Sequence, residues 1–190
     1  MESVKYRFEE SLISRQAAAE KGMLEELRRG DYTPERPLIR LNPYFISPLT
    51  AVMLFNTPED TAVTLTVRGR DKAGDITHTF PPAREHVLPV LGLYEDCENT
   101  VELRLYQGEK YEFKIKTEKL AGERQSLISM ETTHEFMQDN MIFLTPAGFE
   151  CATAFDWRGD IRWGLNIVTS FDLSRLKNGN ILVSTERVIA

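Results

Sequence analysis

From Leu38 onward the apolar residues of this chain fall on every second position, and that period decides what the chain can fold into. Val63, Leu65 and Val67 alternate with Thr64, Thr66 and Arg68. Val101, Leu103 and Leu105 alternate with Glu102, Arg104 and Tyr106, and Tyr111, Phe113 and Ile115 with Glu112, Lys114 and Lys116. Successive side chains of a strand point to opposite faces, so each run reads as a half-buried antiparallel strand. A fully buried Val, Leu or Ile contributes roughly 1.5–3 kcal/mol, which lets these faces supply most of a core. Val52 and Leu54 alternate with Ala51, Met53 and Phe55, and weaker runs lie at Leu38–Leu41, 76–80 and 86–90. The count before Thr117 is about seven strands, the number of an immunoglobulin- or fibronectin-like β-sandwich.

The punctuation agrees. Gln107-Gly108-Glu109 and Asp71-Lys72-Ala73-Gly74-Asp75 join neighbouring runs as hairpin turns. Leu91-Gly92-Leu93-Tyr94, just before the run at 100–107, is expected to form a tyrosine-corner-like element. Asn42-Pro43 and Ser47-Pro48 bracket an aromatic pair, Tyr44-Phe45. Proline pushes the preceding residue toward an extended backbone, so Asn42 and Ser47 are expected to be extended, within a rigid corner feeding a strand.

Upstream, residues 7–29 contain no proline and a single glycine, Gly22. Val4, Phe8 and Leu12, then Met23, Leu24 and Leu27, follow helical spacing, and Gly30 supplies a stop. One helix, or two broken near Gly22, is expected to serve packing or dimerisation. Downstream, residues 116–125 read as a charged linker containing Gly122. Beyond it, short strands at 141–144, 151–155, 161–165, 171–176 and 181–184 meet at Pro146-Ala147-Gly148, Asp156-Trp157-Arg158-Gly159-Asp160 and Lys177-Asn178-Gly179-Asn180. Strands this short, joined by Gly and Asn turns, have the texture of about one propeller blade. The expected organisation is a helical segment at 1–36, a β-sandwich at 37–120, and a linker with the first strands of a truncated propeller at 121–190.

Chemistry is sparse. The 190 residues carry a net charge of −6, which argues against nucleic acid as a partner. Arg28-Arg29, the longest basic cluster, sits where it complements a helix dipole. No apolar run approaches the ~20 residues of a membrane span, and the N-terminus lacks the apolar stretch of a signal peptide. The expected location is therefore the cytoplasm, or the periplasm or exterior if a leader has been lost. Cys97 and Cys151 are read as two free thiols, with a bridge between them as the alternative. His78 and His86 are expected on solvent-facing strand positions. His134, flanked by Glu131 and Glu135, is the remaining candidate for catalysis or ligation. Asp156, Asp160 and Asp172 suggest a cation site only weakly, since Asp in a turn commonly bonds its own backbone. Trp157 and Trp163 are expected to pack between strands. Tyr6, Tyr44 and Tyr94 do not cluster in sequence, so nothing marks a sugar platform. No catalytic, cofactor-binding or metal residue is assigned.

Three segments carry a resemblance. They are Asn42-Pro43-Tyr44 with Pro48-Leu49-Thr50-Ala51, then Val63-Thr64-Leu65-Thr66-Val67-Arg68-Gly69, then Val87-Leu88-Pro89-Val90-Leu91-Gly92-Leu93-Tyr94. In this order they resemble the N-terminal region of the PAPS-independent aryl-sulfate sulfotransferases. The segments 155–163 and 176–181 are similar to the first propeller blade of that family. The resemblance implies a β-sandwich before a β-propeller, no PAPS cofactor, and transfer of a sulfuryl group from a phenolic sulfate ester to a phenol. It further implies the rest of the propeller as a partner of this segment, and the exposed edges of the strands after Thr117 are expected to give a homodimer or strand exchange. The family's reactive histidines lie in later blades, and none of His78, His86 and His134 matches them. The expectation is a scaffolding, catalytically incomplete front portion; the alternative is a fibronectin-like module that binds protein or carbohydrate.

Overall fold

In the structure, a computed structural model, the described residues are 7–121, 129, 131–137, 141–145, 151–169, 173–177 and 181–183. Val4, Tyr6, Gly122, Asp172 and the turns Pro146-Ala147-Gly148 and Asn178-Gly179-Asn180 lie outside them.

Helix α1 (Arg7–Arg29) is continuous through Gly22 and ends where the Gly30 N–H donates to the Glu26 carbonyl at 2.9 Å. Five antiparallel strands follow: β1 (Leu38–Leu41), β2 (Thr50–Val67), β3 (Ile76–Leu91), β4 (Glu98–Leu105) and β5 (Lys110–Lys116). The seven expected runs are all strand, but four of them fuse into two long ones. Residues 51–55 and 63–67 are the two halves of β2, and 76–80 and 86–90 the two halves of β3.

The fusion works because the β2–β3 ribbon is broken by bulges. Between the pairs Asn56↔Glu85 and Thr61↔Ala83, residues 57–60 of β2 stand against Arg84 alone; then Pro81 and Pro82 stand against Ala62. Extra residues on one strand bend the pair and increase its twist. The two halves of the ribbon accordingly close on one core. Leu49, Ala51, Met53, Phe55, Leu88 and Val90 from one half meet Val63, Leu65, Val67, Val101, Leu103, Leu105 and Ile115 from the other. The bend is fastened by Thr57, whose hydroxyl contacts the Glu59 carbonyl at 2.8 Å and His86 Nε2 at 3.1 Å.

His86 is thus not on a solvent-facing position. It is 2% exposed and stacked on Phe55, with ring centroids 4.5 Å apart. Both rows of this strand are hydrophobic, so alternation alone does not say which faces in. The register puts His86, Leu88 and Val90 inside and leaves Val87 and Leu91 exposed. Burial pushes the His86 pKa down, only partly offset by a hydrogen bond with the Ala83 backbone.

Helix α1 covers the other face of the first half of β2. Met23 and Leu27 pack on Leu38, Val52 and Leu54. Arg40 spans the rim to Glu26 at 2.6 Å, and Gln16 Nε2 donates to the Tyr44 carbonyl at 2.9 Å. The outer face of the second half is polar, with Thr64 bonded to Thr79 and Thr66 to Thr77, each at 2.9 Å.

After the sandwich come a short helix α2 (His134–Met137), a three-stranded antiparallel meander of β6 (Ile142–Leu144), β7 (Cys151–Phe155) and β8 (Ile161–Val168), and a two-stranded pair, β9 (Leu173–Arg175) with β10 (Ile181–Val183). Trp163 packs among Ala152, Leu165 and Val183, edge-on to Phe143. Residues 117–120, read from sequence as linker, still belong to the sandwich: Thr117 and Leu120 are buried in it.

Candidate functional site

The chemistry of the chain concentrates where the β7–β8 turn meets the sandwich. Phe155 pairs with Ile161, so the intervening residues form a tight turn. Asp156 organises it: its Oδ1 accepts the N–H groups of Arg158 (3.0 Å) and Asp160 (3.1 Å), the backbone-capping role expected of a turn aspartate. Its other oxygen accepts from Arg162 Nη1 at 3.1 Å.

Arg162 is 1% exposed, the largest fully buried side chain among the described residues. Burying a guanidinium costs several kcal/mol unless its donors and charge are matched. Here the sandwich supplies most of the match. Arg162 Nε donates to the Gly92 carbonyl at 2.8 Å, and the two N–H groups of Nη1 are shared among the Gly74 carbonyl (3.0 Å), the Tyr94 hydroxyl (2.9 Å) and Asp156. Its Cζ lies 4.0 Å from the centroid of the Tyr94 ring, a cation–π stack. Nη2 is buried without a hydrogen-bond partner.

Two glycines make the room. Gly92 has φ +83°, a conformation that favours glycine, and a Cβ there would collide with Ile76 Cδ1 and sit 3.7 Å from Arg162 Nη2. A Cβ on Gly74 would press on the Tyr94 hydroxyl at 3.3 Å. Tyr94 itself is anchored twice. Its hydroxyl accepts the Arg70 N–H at 3.2 Å, 24 residues upstream, farther than the few residues a tyrosine corner spans. Its backbone N–H donates to Asn99 Oδ1 at 2.7 Å, and its carbonyl accepts from Thr117 Oγ1 at 2.6 Å. Burial pushes the Tyr94 phenol above its usual range.

More links flank the cradle. Arg70 pairs with Asp160 at 2.6 Å, and Arg158 pairs with Asp71. At the far end of β8, Asn166 N–H donates to the Ile46 carbonyl and Asn166 Nδ2 to the Phe45 carbonyl, both at 3.0 Å. The proline-bracketed corner is therefore a docking edge for β8. Its backbone departs from the expectation at Asn42, which has φ +48°, not an extended value, and so does not obey the pre-proline preference. Asparagine tolerates this region, and Asn42 Oδ1 gains the Ser47 N–H at 3.0 Å.

A second charged cluster lies on the outer face of β4. The Glu102 side chain is 5% exposed and ringed by Lys110 Nζ (2.8 Å), Arg104 Nη2 (3.1 Å) and Arg68. Burial alone would raise its pKa, but the three cations hold it down to about 2.

The histidines are not brought together. His78 is exposed beside Phe80, with ring centroids 4.6 Å apart. His86 sits at the ribbon bend, and His134 lies against Trp157 at 5.8 Å. Cys97 and Cys151 are free thiols. Among the described residues, no group of three or more His, Cys, Asp and Glu is placed to hold a metal, and no helix is long and apolar enough to cross a membrane. Arg162 and its cradle were missed by sequence reasoning. The available signal was an aspartate and an arginine flanking a Trp-Arg-Gly-Asp turn, which places them side by side across a hairpin.

The fold defines a two-layer antiparallel β domain with a polar keyed edge toward the next sheet. Residues 38–120 match the family model of the arylsulfotransferase Ig-like domain. The match supports an arylsulfotransferase N-terminal region for this part of the chain. No curated protein matches the chain.

Proposed function

We propose that the chain is the scaffolding front portion of a PAPS-independent aryl-sulfate sulfotransferase, an enzyme that moves a sulfuryl group from a phenolic sulfate ester to a phenol. The observation that carries this reading is the match of residues 38–120 to the arylsulfotransferase Ig-like domain. The Ig-like domain holds the following strands in place through Arg162, Arg70 and Asn166, and those strands begin a propeller. The reacting groups are not supplied by these 190 residues. Covalent transfer of an anionic group calls for a nucleophile with fixed cations around it. His78, His86 and His134 lie on separate parts of the fold, and His86 is committed to the ribbon bend.

The domain also serves dimerisation. Strand β3 pairs with β2 along one edge, and Val87 and Leu91 remain exposed. Unpaired strand edges template association. Sedimentation of the chain is expected to give a dimer.

The activity is tested with 4-nitrophenyl sulfate as donor and phenol as acceptor. The chain by itself is expected to release no 4-nitrophenol. Fused at its C-terminus to the remaining blades of an aryl-sulfate sulfotransferase, it is expected to support transfer. Turnover by the 190 residues alone, or a silent but folded fusion, would overturn the reading.

A further inference from the structure

Gly74 and Tyr94, which line the cradle around Arg162, are held through contacts that do not involve Arg162. The Gly74 N–H donates to the backbone carbonyl and to Oδ1 of Asp71, each at 3.1 Å. The Tyr94 hydroxyl is positioned by Arg70 N–H, and the Tyr94 backbone by Asn99 and Thr117. All of these residues lie in the Ig-like domain. They present two carbonyl oxygens and one hydroxyl, all neutral, at the edge of a guanidinium, and an aromatic ring on its face. The counter-charge is not part of the cradle. It arrives on Asp156, in the β7–β8 turn that leads into Arg162.

We infer that the Ig-like domain carries a preformed guanidinium-recognition site, filled in cis by Arg162, which sets the register of the following sheet on the domain. The ligand class is an arginine side chain or a small alkylguanidinium. A planar cation stacks on Tyr94 while its in-plane N–H groups reach the Gly92 and Gly74 carbonyls. An alkylammonium has no plane to stack and offers its N–H groups from one point rather than from separate nitrogens. The site uses no sulfuryl chemistry, so it stands or falls apart from the enzymatic reading.

Chemical rescue of the full chain tests it. Arg162→Ala empties the cradle and leaves Asp156 in place as counter-ion. Millimolar N-ethylguanidinium is expected to raise the thermal midpoint of this variant, ethylammonium at equal ionic strength to leave it unchanged, and neither to raise that of the parent chain. Adding Tyr94→Phe, which removes one acceptor, is expected to weaken the rescue. Equal responses to the two cations would overturn the proposal. Should Arg162→Ala fail to fold, Arg162→Lys gives the second readout by hydrogen exchange. The amides of β8 are expected to lose protection while those of β4 keep it. Unchanged β8 protection would count against the site.

Discussion

The Ig-like domain is covered on two sides, by helix α1 on one and by the β7–β8 turn on the other, and the two contacts are built on opposite principles. The helix contact is apolar: Met23 and Leu27 lie on Leu38, Val52 and Leu54, with ion pairs only at the rim. Such a contact is non-directional and tolerates changes of shape and register. The turn contact is polar at its centre. It buries one guanidinium against fixed acceptors, with Asn166 holding the far end of β8. Hydrogen bonds to a buried charge fail steeply when the geometry slips. The difference teaches that burial attaches the helix, whereas the following sheet is indexed to one position.

Substitutions can break that contrast. Arg162→Ala leaves Asp156 buried with an uncompensated charge and is expected to cost about 3–5 kcal/mol, read from urea unfolding. A cost below about 1 kcal/mol would mean that the seam is no more exacting than a surface pair. Leu54→Ala, on the helix side, opens a cavity between the strand and Leu27 and is expected to cost about 2–5 kcal/mol. Methionine at the same position is expected to cost under about 1.5 kcal/mol, because its volume is conserved. The matching conservative change at the seam, Arg162→Lys, should not be tolerated in that way.

Glu102 sharpens the comparison within the domain itself, since it is a buried charge that makes no contact across a seam. Its folded pKa of about 2 lies below the ordinary 4.5, so the unfolded chain binds its proton first. The stabilisation is complete above about pH 4.5 and is lost as pH falls through about 2. Glu102→Gln is expected to cost about 1–3 kcal/mol at neutral pH and to flatten the acid limb of the stability curve over that window. An unaltered acid limb would remove the three-cation account. The smallest effect is expected at the helix rim: Arg28→Ala, which removes an exposed 3.7 Å pair with Glu85, should stay within about 1 kcal/mol in the same unfolding assay.

Much of the fold was legible because its signals are local. The alternation of Val101, Leu103 and Leu105 with polar residues names a strand without knowledge of its neighbours, and Gly108, at φ +106°, marks the β4–β5 turn. Helix α1 announced itself by spacing. The fusion of seven runs into five strands was not legible, because 57–60 reads as a loop until β3 is laid beside it with Arg84 opposite. The inward face of 86–90 was ambiguous for a related reason: both of its rows are hydrophobic. The candidate site was the least legible part. Arg162 meets acceptors 68 to 88 residues away in sequence, and no short motif records such a meeting.

By itself, then, the sequence determined the period of each segment, the places where the chain turns and the likeness of residues 38–120 to the arylsulfotransferase Ig-like domain. These depend on side-chain spacing and backbone preferences a few residues long. Only the tertiary structure decided that β2 and β3 bend over one core, that His86 is interior, and that the guanidinium of Arg162 replaces its water with two glycine carbonyls and a tyrosine. The reason is physical: the cost of burying a charge is set by where its partners stand in space, and the chain brings those partners together only when it folds.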